Sequence, residues 1–573
     1  MDCRQAAYSN DYADAIIDFP VEGIRGDFTD TCVIPVDDRF SVVFRNRALT
    51  PEIPGNTYEY QYVPKIYGLM MDGVVGAAQQ PFDPSALIES GILSLQGAPL
   101  YLRGQNVLVA IIDTGVNFAL PQFRDSLGQS RILAMWDQND GGTKPAPEGY
   151  YYGSEYTRED INAALATAQP YNTLPSRDES FHGTIMAGLA AGSEVEETGY
   201  IGAAPDADLL VVKLKPCKEY LRNYYRIPPG ITAFQETDIM LALKYVNSFA
   251  VAFSRPLVVC LGMGTNLGDH SGNNSLAIYM NKLAQEKSRA LITCAGNEGN
   301  RAHHFRGSLG SDREEGGFVD VEIRVAEGNR GFYMELWGNR TDVLNVSIRS
   351  PGGEAVPPMR ISEEETMEYS FVFERTTLIV QNVFVEPLSG EQLVRFFFTE
   401  PTEGVWTFRV FSASETYNGV FDMWLPIQDF LYSSVEFLEP EPDITITEPD
   451  FQESIIVAGA YRLSNGSIWP DSGRGFGRMG EISPTVTAPG VDVPTIYGLR
   501  TGSSLAAAIT AGGATQLMQW AVVEGKNLLM DGKQLKNYLI KGAIRTPEIT
   551  YPSVLWGYGR VNIRSVLETL QSR

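Results

Sequence analysis

The sequence predicts an α/β protein: a parallel sheet with helices on both faces, an all-β sandwich inserted into it, and a small α+β unit ahead of it. Three observations carry this. Short, almost wholly apolar runs at 106–112, 209–213, 257–261, 290–294 and 454–460 alternate with helical segments, as strands covered on both faces do. From 316 to 440 the rhythm changes to alternation of apolar and polar residues, at Val319, Val321, Ile323 and Val325, at Leu344, Val346 and Ile348, and at Trp406, Phe408 and Val410. The chain has 573 residues, enough for several domains and for a core that needs no staples.

Residues 1–65 form the small leading unit, with a short helix expected at 12–19 and strands at 30–35 and 39–44. A stretch from Pro54 to Pro84 follows, and its part from 71 to 84, rich in Gly, Ala and Pro, reads as a linker. The first α/β part, 66–315, has strands at 106–112, 209–213, 257–261 and 290–294. Its helices fall at 182–192, 236–248 and 275–285. The inserted sandwich at 316–440 matches a two-sheet antiparallel architecture. The second α/β part, 441–573, resumes with the strand at 454–460 and contains a helix of small residues at 504–520.

Composition excludes several classes of function. Lys plus Arg number 45 against 70 Asp plus Glu, a formal net charge of −25, so nucleic acid and anionic membranes are not expected partners. The five cysteines are odd in number and contain no C-x-x-C, so neither a disulfide framework nor a thiolate zinc site is expected, and a reducing compartment fits. The N-terminus is polar and acidic, without the apolar segment of a secretory signal. No apolar run approaches the roughly 20 residues that span a bilayer. The expectation is a soluble protein made in the cytoplasm.

Four segments carry chemistry. Asp113-Thr-Gly115 directly follows the buried run 106–112, at the carboxyl end of a parallel strand, where open α/β folds place their sites. Phe181-His182-Gly-Thr-Ile-Met-Ala187-Gly188 puts one of only four histidines at the start of a helix of small residues. Cys294-Ala-Gly-Asn297-Glu-Gly299 puts a side-chain amide on a glycine-flanked loop, able to aim an N–H at a developing oxyanion. Thr501-Gly-Ser-Ser504-Leu-Ala-Ala-Ala508 opens a helix with a serine, in reach of the positive end of the helix dipole. Alone, each has an ordinary explanation: a capping Asp, a histidine bonded to backbone, an Asn in a turn, a helix cap. A second D-T-G, which an aspartic protease needs, is absent, and so is the G-x-S-x-G of α/β-hydrolases.

In this order, with this texture around them, the four segments resemble the subtilisin-like serine proteases, the subtilases of peptidase family S8. Ala488-Pro-Gly490 also matches that family. The resemblance covers about 85–310 and 445–573. Ser503 stands where the family usually has Thr, Ala508 where it often has Pro, and Ile185 where H-G-T-H has a second His; none of these removes a catalytic group.

The resemblance implies a subtilisin-like sheet and a serine endopeptidase (EC 3.4.21). Ser504 is implied as nucleophile, His182 as base, Asp113 as its orienting carboxylate, and the Asn297 amide with the Ser504 N–H as oxyanion hole. Cys260, Leu261 and Gly262 are implied as the edge that adds substrate as a strand, and Ala295-Gly296 as the opposite wall of the primary pocket. Glu298 would lie at the rim of that pocket, favouring basic side chains or merely solvated. No cofactor is required and no metal ligand is assigned; structural calcium is common in the family but cannot be located here. The alternative is a catalytically silent or prodomain-inhibited scaffold acting as a sensor.

Ser9-Asn-Asp-Tyr12-Ala-Asp14, the run Val63-Pro-Lys-Ile-Tyr-Gly-Leu69 and the sandwich between Asn297 and Ser504 give a narrower resemblance, to the Csp germination proteases of spore-forming Clostridia. It implies that 1–65 is a prodomain, a chaperone and inhibitor that stays bound non-covalently after being cut off in cis. The insert is implied to be a jelly roll that stiffens the enzyme. Self-cleavage is expected between 58 and 80, at Tyr60, Gln61 or Tyr62. The implied partner is a polypeptide substrate, such as the precursor of a spore cortex lytic enzyme, which implies association with spores.

Overall fold

Eight strands build the central sheet of the computed structural model, which describes residues 2–18, 31–49, 63–71, 82–139, 142–310, 317–357, 366–412 and 416–571. Their order is Val486–Val491, Ile456–Arg462, Arg289–Cys294, Leu257–Leu261, Leu108–Asp113, Asp208–Lys213, Ile132–Asp137 and Ser154–Thr157. All neighbours run parallel except the last pair. Leu108–Asp113 is buried along its whole length, which explains its unbroken apolar run. From it the chain builds the sheet first toward Asp208–Lys213 and later toward Leu257–Leu261. The carboxyl end of Leu108–Asp113 therefore lies at a switch point of the topology, and Asp113 sits there.

Helices cover both faces. Ser503–Met518 is buried throughout. It is Ala- and Gly-rich because its neighbours press close: a Cβ on Gly512 would lie 2.2 Å from the Ala203 Cβ and 2.6 Å from the Ala190 carbonyl. His182–Ala191, also wholly buried, packs against it. Glu236–Ala252 and Ser275–Ala284 lie with the N-terminal unit, sharing a core with Phe40, Val42 and Phe44.

The N-terminal unit is a helix, Cys3–Tyr8, on a three-stranded antiparallel sheet. The expected strands are Thr31–Pro35 and Phe40–Asn46. The helix expected at 12–19 is instead the strand Tyr12–Asp18, paired from Tyr12↔Asn46 to Asp18↔Phe40. Asp14, on its buried face, disguised the alternation; it is tolerated there because Lys218 Nζ and Gln235 Nε2 both donate to it. The expectation of a chain without bridges is also corrected. Cys3 and Cys32, 29 residues apart, are joined as a disulfide, because the helix folds back over the sheet. Cys217, Cys260 and Cys294 are free and buried.

The insert is a sandwich of two antiparallel sheets, as the alternation predicts. One runs His304–Ser308, Val420–Trp424, Gly331–Trp337, Leu393–Thr399, Thr377–Val383, Thr366–Ser370; the other runs Ala355–Val356, Leu344–Arg349, Gly404–Ser412, Phe318–Val325, Val435–Phe437. It thus takes in a strand before residue 316. Val321, Ile323, Leu344, Val346, Trp406 and Phe408 meet in its core.

The seam between sandwich and α/β unit is polar, and its buried Arg478 is paired. Buried Arg478 donates to Asp422 at 2.8 Å and to Glu391, and His304 meets the same Asp422 at 3.0 Å. Trp424 is stacked between His270 and His304, with ring centroids 4.1 and 4.6 Å away. Burial drives the His270 pKa down to about 3, so this ring stays neutral at the seam.

Among the described residues no helix is long and apolar enough to cross a membrane.

Candidate active site

Asp113 leaves the central strand with its carboxylate toward the start of the helix His182–Ala191. His182 Nδ1 lies 2.8 and 2.9 Å from the two Asp113 oxygens. An ionised carboxylate only accepts, so the proton belongs on Nδ1, and Nε2 is left as the acceptor facing Ser504 Oγ at 3.3 Å. Space for this contact depends on two glycines. A Cβ on Gly183 would lie 2.2 Å from the Gly115 carbonyl, and one on Gly262 would lie 3.0 Å from His182 Cε1 and 3.1 Å from Ser504 Cβ. Burial pulls the His182 pKa down, but the Asp113 charge and hydrogen bond, helped by Asp178, outweigh it and leave it raised above 6.5.

Asp178 is a residue that motif reading missed. Its buried carboxylate accepts from the Thr114 hydroxyl at 2.8 Å, the Thr184 N–H at 2.8 Å and the Phe181 N–H at 2.9 Å. It thus ties the loop after Asp113 to the first turn of the His182 helix and satisfies one of that turn's free donors.

Asn297 stands after the strand Arg289–Cys294. Its Oδ1 accepts from the Ser503 N–H at 3.1 Å and the Ser503 hydroxyl at 2.9 Å, which turns the amide N–H₂ the other way. The hydroxyl retained at Ser503 thus orients this amide.

Glu298 departs from expectation. It is neither at a pocket rim nor solvated, being 2% exposed. His303 Nδ1 lies 2.6 Å from one of its oxygens, and the Gln428 N–H donates to the other at 3.1 Å. A carboxylate so engaged clamps the returning end of the sandwich and is not available to a substrate side chain.

The cleft is occupied by the chain itself. Ile66–Leu69 is the middle strand of a small antiparallel sheet, pairing with Met263–Gly264 on one side and Phe234–Gln235 on the other. The Met70 N–H donates to the Gly262 carbonyl at 3.2 Å, and the Ser504 N–H donates to the Met70 carbonyl at 3.2 Å. Gly502 leaves room for this approach: a Cβ there would lie 2.5 Å from the Met70 oxygen and 2.7 Å from Met71 Cα. Ser504 is 0% exposed with this segment in place. Upstream, the Lys65 backbone is pinned by Glu236 in both directions. Burial opposes the charge on the Lys65 side chain, but Glu236, Glu386, Glu335 and Glu448 outweigh it and raise its pKa.

The structure therefore brings Asp113, His182, Asn297 and Ser504 together. Of the expected substrate edge, Gly262 meets the bound segment, whereas the pairing of Cys260 and Leu261 is taken up inside the central sheet, Cys260 by Ile111 and Ile292 and Leu261 by Thr293. The edge that receives a strand is Gly262–Gly264, shifted because the chain leaves the sheet only after Leu261. The Ala295 carbonyl accepts from Thr447 and the Gly296 carbonyl from Gly473, so both hold the cleft wall together. Tyr60, Gln61 and Tyr62 lie outside the described residues. Among the described residues no group of three or more His, Cys, Asp or Glu side chains is placed to share a metal ion.

A parallel α/β sheet with an Asp, a His and a Ser converging at its carboxyl end is the subtilisin-like arrangement, and residues 104–315 match the model of the subtilase family. A subtilisin from Bacillus sp. (strain TA39) is 24% identical over 207 residues, 36% of this chain and 36% of the subtilisin, so the match spans about a third of that relative. The solved structure of the Clostridium perfringens CspB protease is similar over 86% of this chain and 100% of its own, with 27% identity and a TM-score of 0.75.

Proposed function

We propose that the protein is a serine endopeptidase that first cuts its own chain and then other polypeptides. One observation carries the reading: a backbone carbonyl, that of Met70, is held against the N–H of Ser504, beside a Ser504–His182–Asp113 hydrogen-bond chain. In the reaction Ser504 Oγ attacks the Met70 carbonyl carbon and its proton passes to His182 Nε2. The oxyanion is held by the Ser504 N–H and the Asn297 amide. Collapse breaks the Met70–Met71 bond, and His182 returns the proton to the Met71 nitrogen. Water, deprotonated by His182, then releases Met70 from the serine.

The cut after Met70 replaces the expectation at Tyr60, Gln61 or Tyr62. The released unit stays in place, because Phe40 and Phe44 share a core with the enzyme and Lys218 remains bonded to Asp14. A protein precursor is the class of later substrate this reading carries.

Intact mass of wild type and Ser504→Ala tests it. Wild type is expected as two fragments divided after Met70, and Ser504→Ala as one full-length chain. Wild type that stays full length under conditions where it folds sinks the reading in favour of the silent scaffold.

The pH dependence follows from His182. Protonated His182 cannot accept the serine proton, and its pKa is raised. The rate of cleavage after Met70 is therefore expected to climb with pH through a midpoint above 6.5. A midpoint below 6.5 contradicts the Asp113–His182 pairing.

A further inference from the structure

The cleft is closed by the sandwich, not by the α/β unit alone. Beyond the strand Val420–Trp424 the returning chain passes through Leu425 and Ile427 into the short turn Gln428–Phe430. Both ends of this stretch are fixed. Asn266 Nδ2 donates to the Leu425 carbonyl at 3.1 Å, and Glu298 takes the Gln428 N–H. Ile427 and Phe430 are 2% and 3% exposed and join the same apolar cluster as Ile66 and Met70.

Beneath them lies Gly68. A Cβ on Gly68 would sit 2.4 Å from Ile427 Cδ1 and 3.3 Å from both Cε1 and Cζ of Phe430. The opposite residue in register is Gly264, where a Cβ would lie 2.2 Å from Thr447 Oγ1. The bound strand is thus confined from above, and the edge it pairs with is itself backed by Thr447. Gly68 does not occupy the left-handed region, so space rather than backbone conformation calls for glycine. Counting back from the bond after Met70, Gly68 is the third residue on the acyl side.

We propose that Ile427 and Phe430 are specificity-determining residues, which restrict the third residue before the cleaved bond to glycine. The inference rests on the protease reading and extends it. The sandwich becomes the roof of the substrate channel, and the polypeptides accepted carry glycine two positions before the residue whose carbonyl is attacked. The roof cannot lift easily, since Arg478 and the His270–Trp424–His304 stack bind the sandwich to the α/β unit. Nor can Ile427 swing aside freely, because it is buried against its neighbours.

The test is the rate of cleavage after Met70 in the full-length chain, followed by mass from the start of refolding. Gly68→Leu is expected to slow it by about 10- to 100-fold, the range that overpacking of a filled site produces, with Gly68→Ala between it and wild type. The same substitution in an Ile427→Ala background is expected to cost less than about 5-fold, because the missing side chain leaves space for the new one. Gly68→Leu cleaving at the wild-type rate overturns the proposal. A slowing that is the same in both backgrounds also overturns it, since a folding defect or a general loss would not depend on Ile427. Failure of the protease reading looks different: wild type itself stays uncut.

Discussion

His182→Ala is expected to lower acylation of Ser504 by about 10⁶, the size of effect known for loss of the base in subtilisin. The geometry explains why no neighbour substitutes. Nε2 of His182 is the acceptor that faces Ser504 Oγ, at 3.3 Å, and the other three histidines are committed to the seam with the sandwich. Asp113 is held on the far side of the imidazole and its oxygens are engaged by Nδ1. The variant should remain a single chain containing both Met70 and Met71. Cleavage after Met70 within about tenfold of the wild-type rate would mean that His182 is not the base.

Asn297→Ala is expected to cost on the order of 10²–10³ in turnover, the effect of removing an oxyanion donor in subtilisin. The Ser504 N–H would remain as the single donor to the oxyanion. The loss should fall on the rate of cleavage after Met70 and leave folding nearly intact, which a thermal melt would show. A companion variant separates direct from indirect effects. Ser503→Ala removes the hydroxyl that holds Asn297 Oδ1 at 2.9 Å but leaves the Ser503 N–H, so it should lose less than Asn297→Ala. Equal losses in the two variants would mean that Asn297 acts only through its bond to Ser503.

The motifs were legible because chemistry of this kind imposes local requirements. A carboxylate at the end of a buried strand, a histidine on a glycine–alanine helix and a serine before another such helix need particular neighbours in sequence. Gly183 and Gly512 are small because a neighbouring backbone or side chain fills the place of their Cβ, and that shows as composition. The sandwich was legible for a similar reason, since one dry face and one wet face write alternation into Phe318–Val325 and Gly404–Ser412. The strand Tyr12–Asp18 was not legible, because its buried Asp14 is balanced by Lys218 and Gln235, more than two hundred residues away.

By itself, then, the sequence determined the parallel sheet, the inserted sandwich and the order of Asp113, His182, Asn297 and Ser504, all of which are recorded in spacing and polarity over a few residues. Only the tertiary structure decided which bond lies at Ser504, that Cys3 meets Cys32, that Glu298 is a buried clamp, and that Ile427 and Phe430 stand over Gly68. The physical reason is common to these four. Each depends on surfaces brought together by packing from distant parts of the chain, and local periodicity carries no record of which surface a residue will meet.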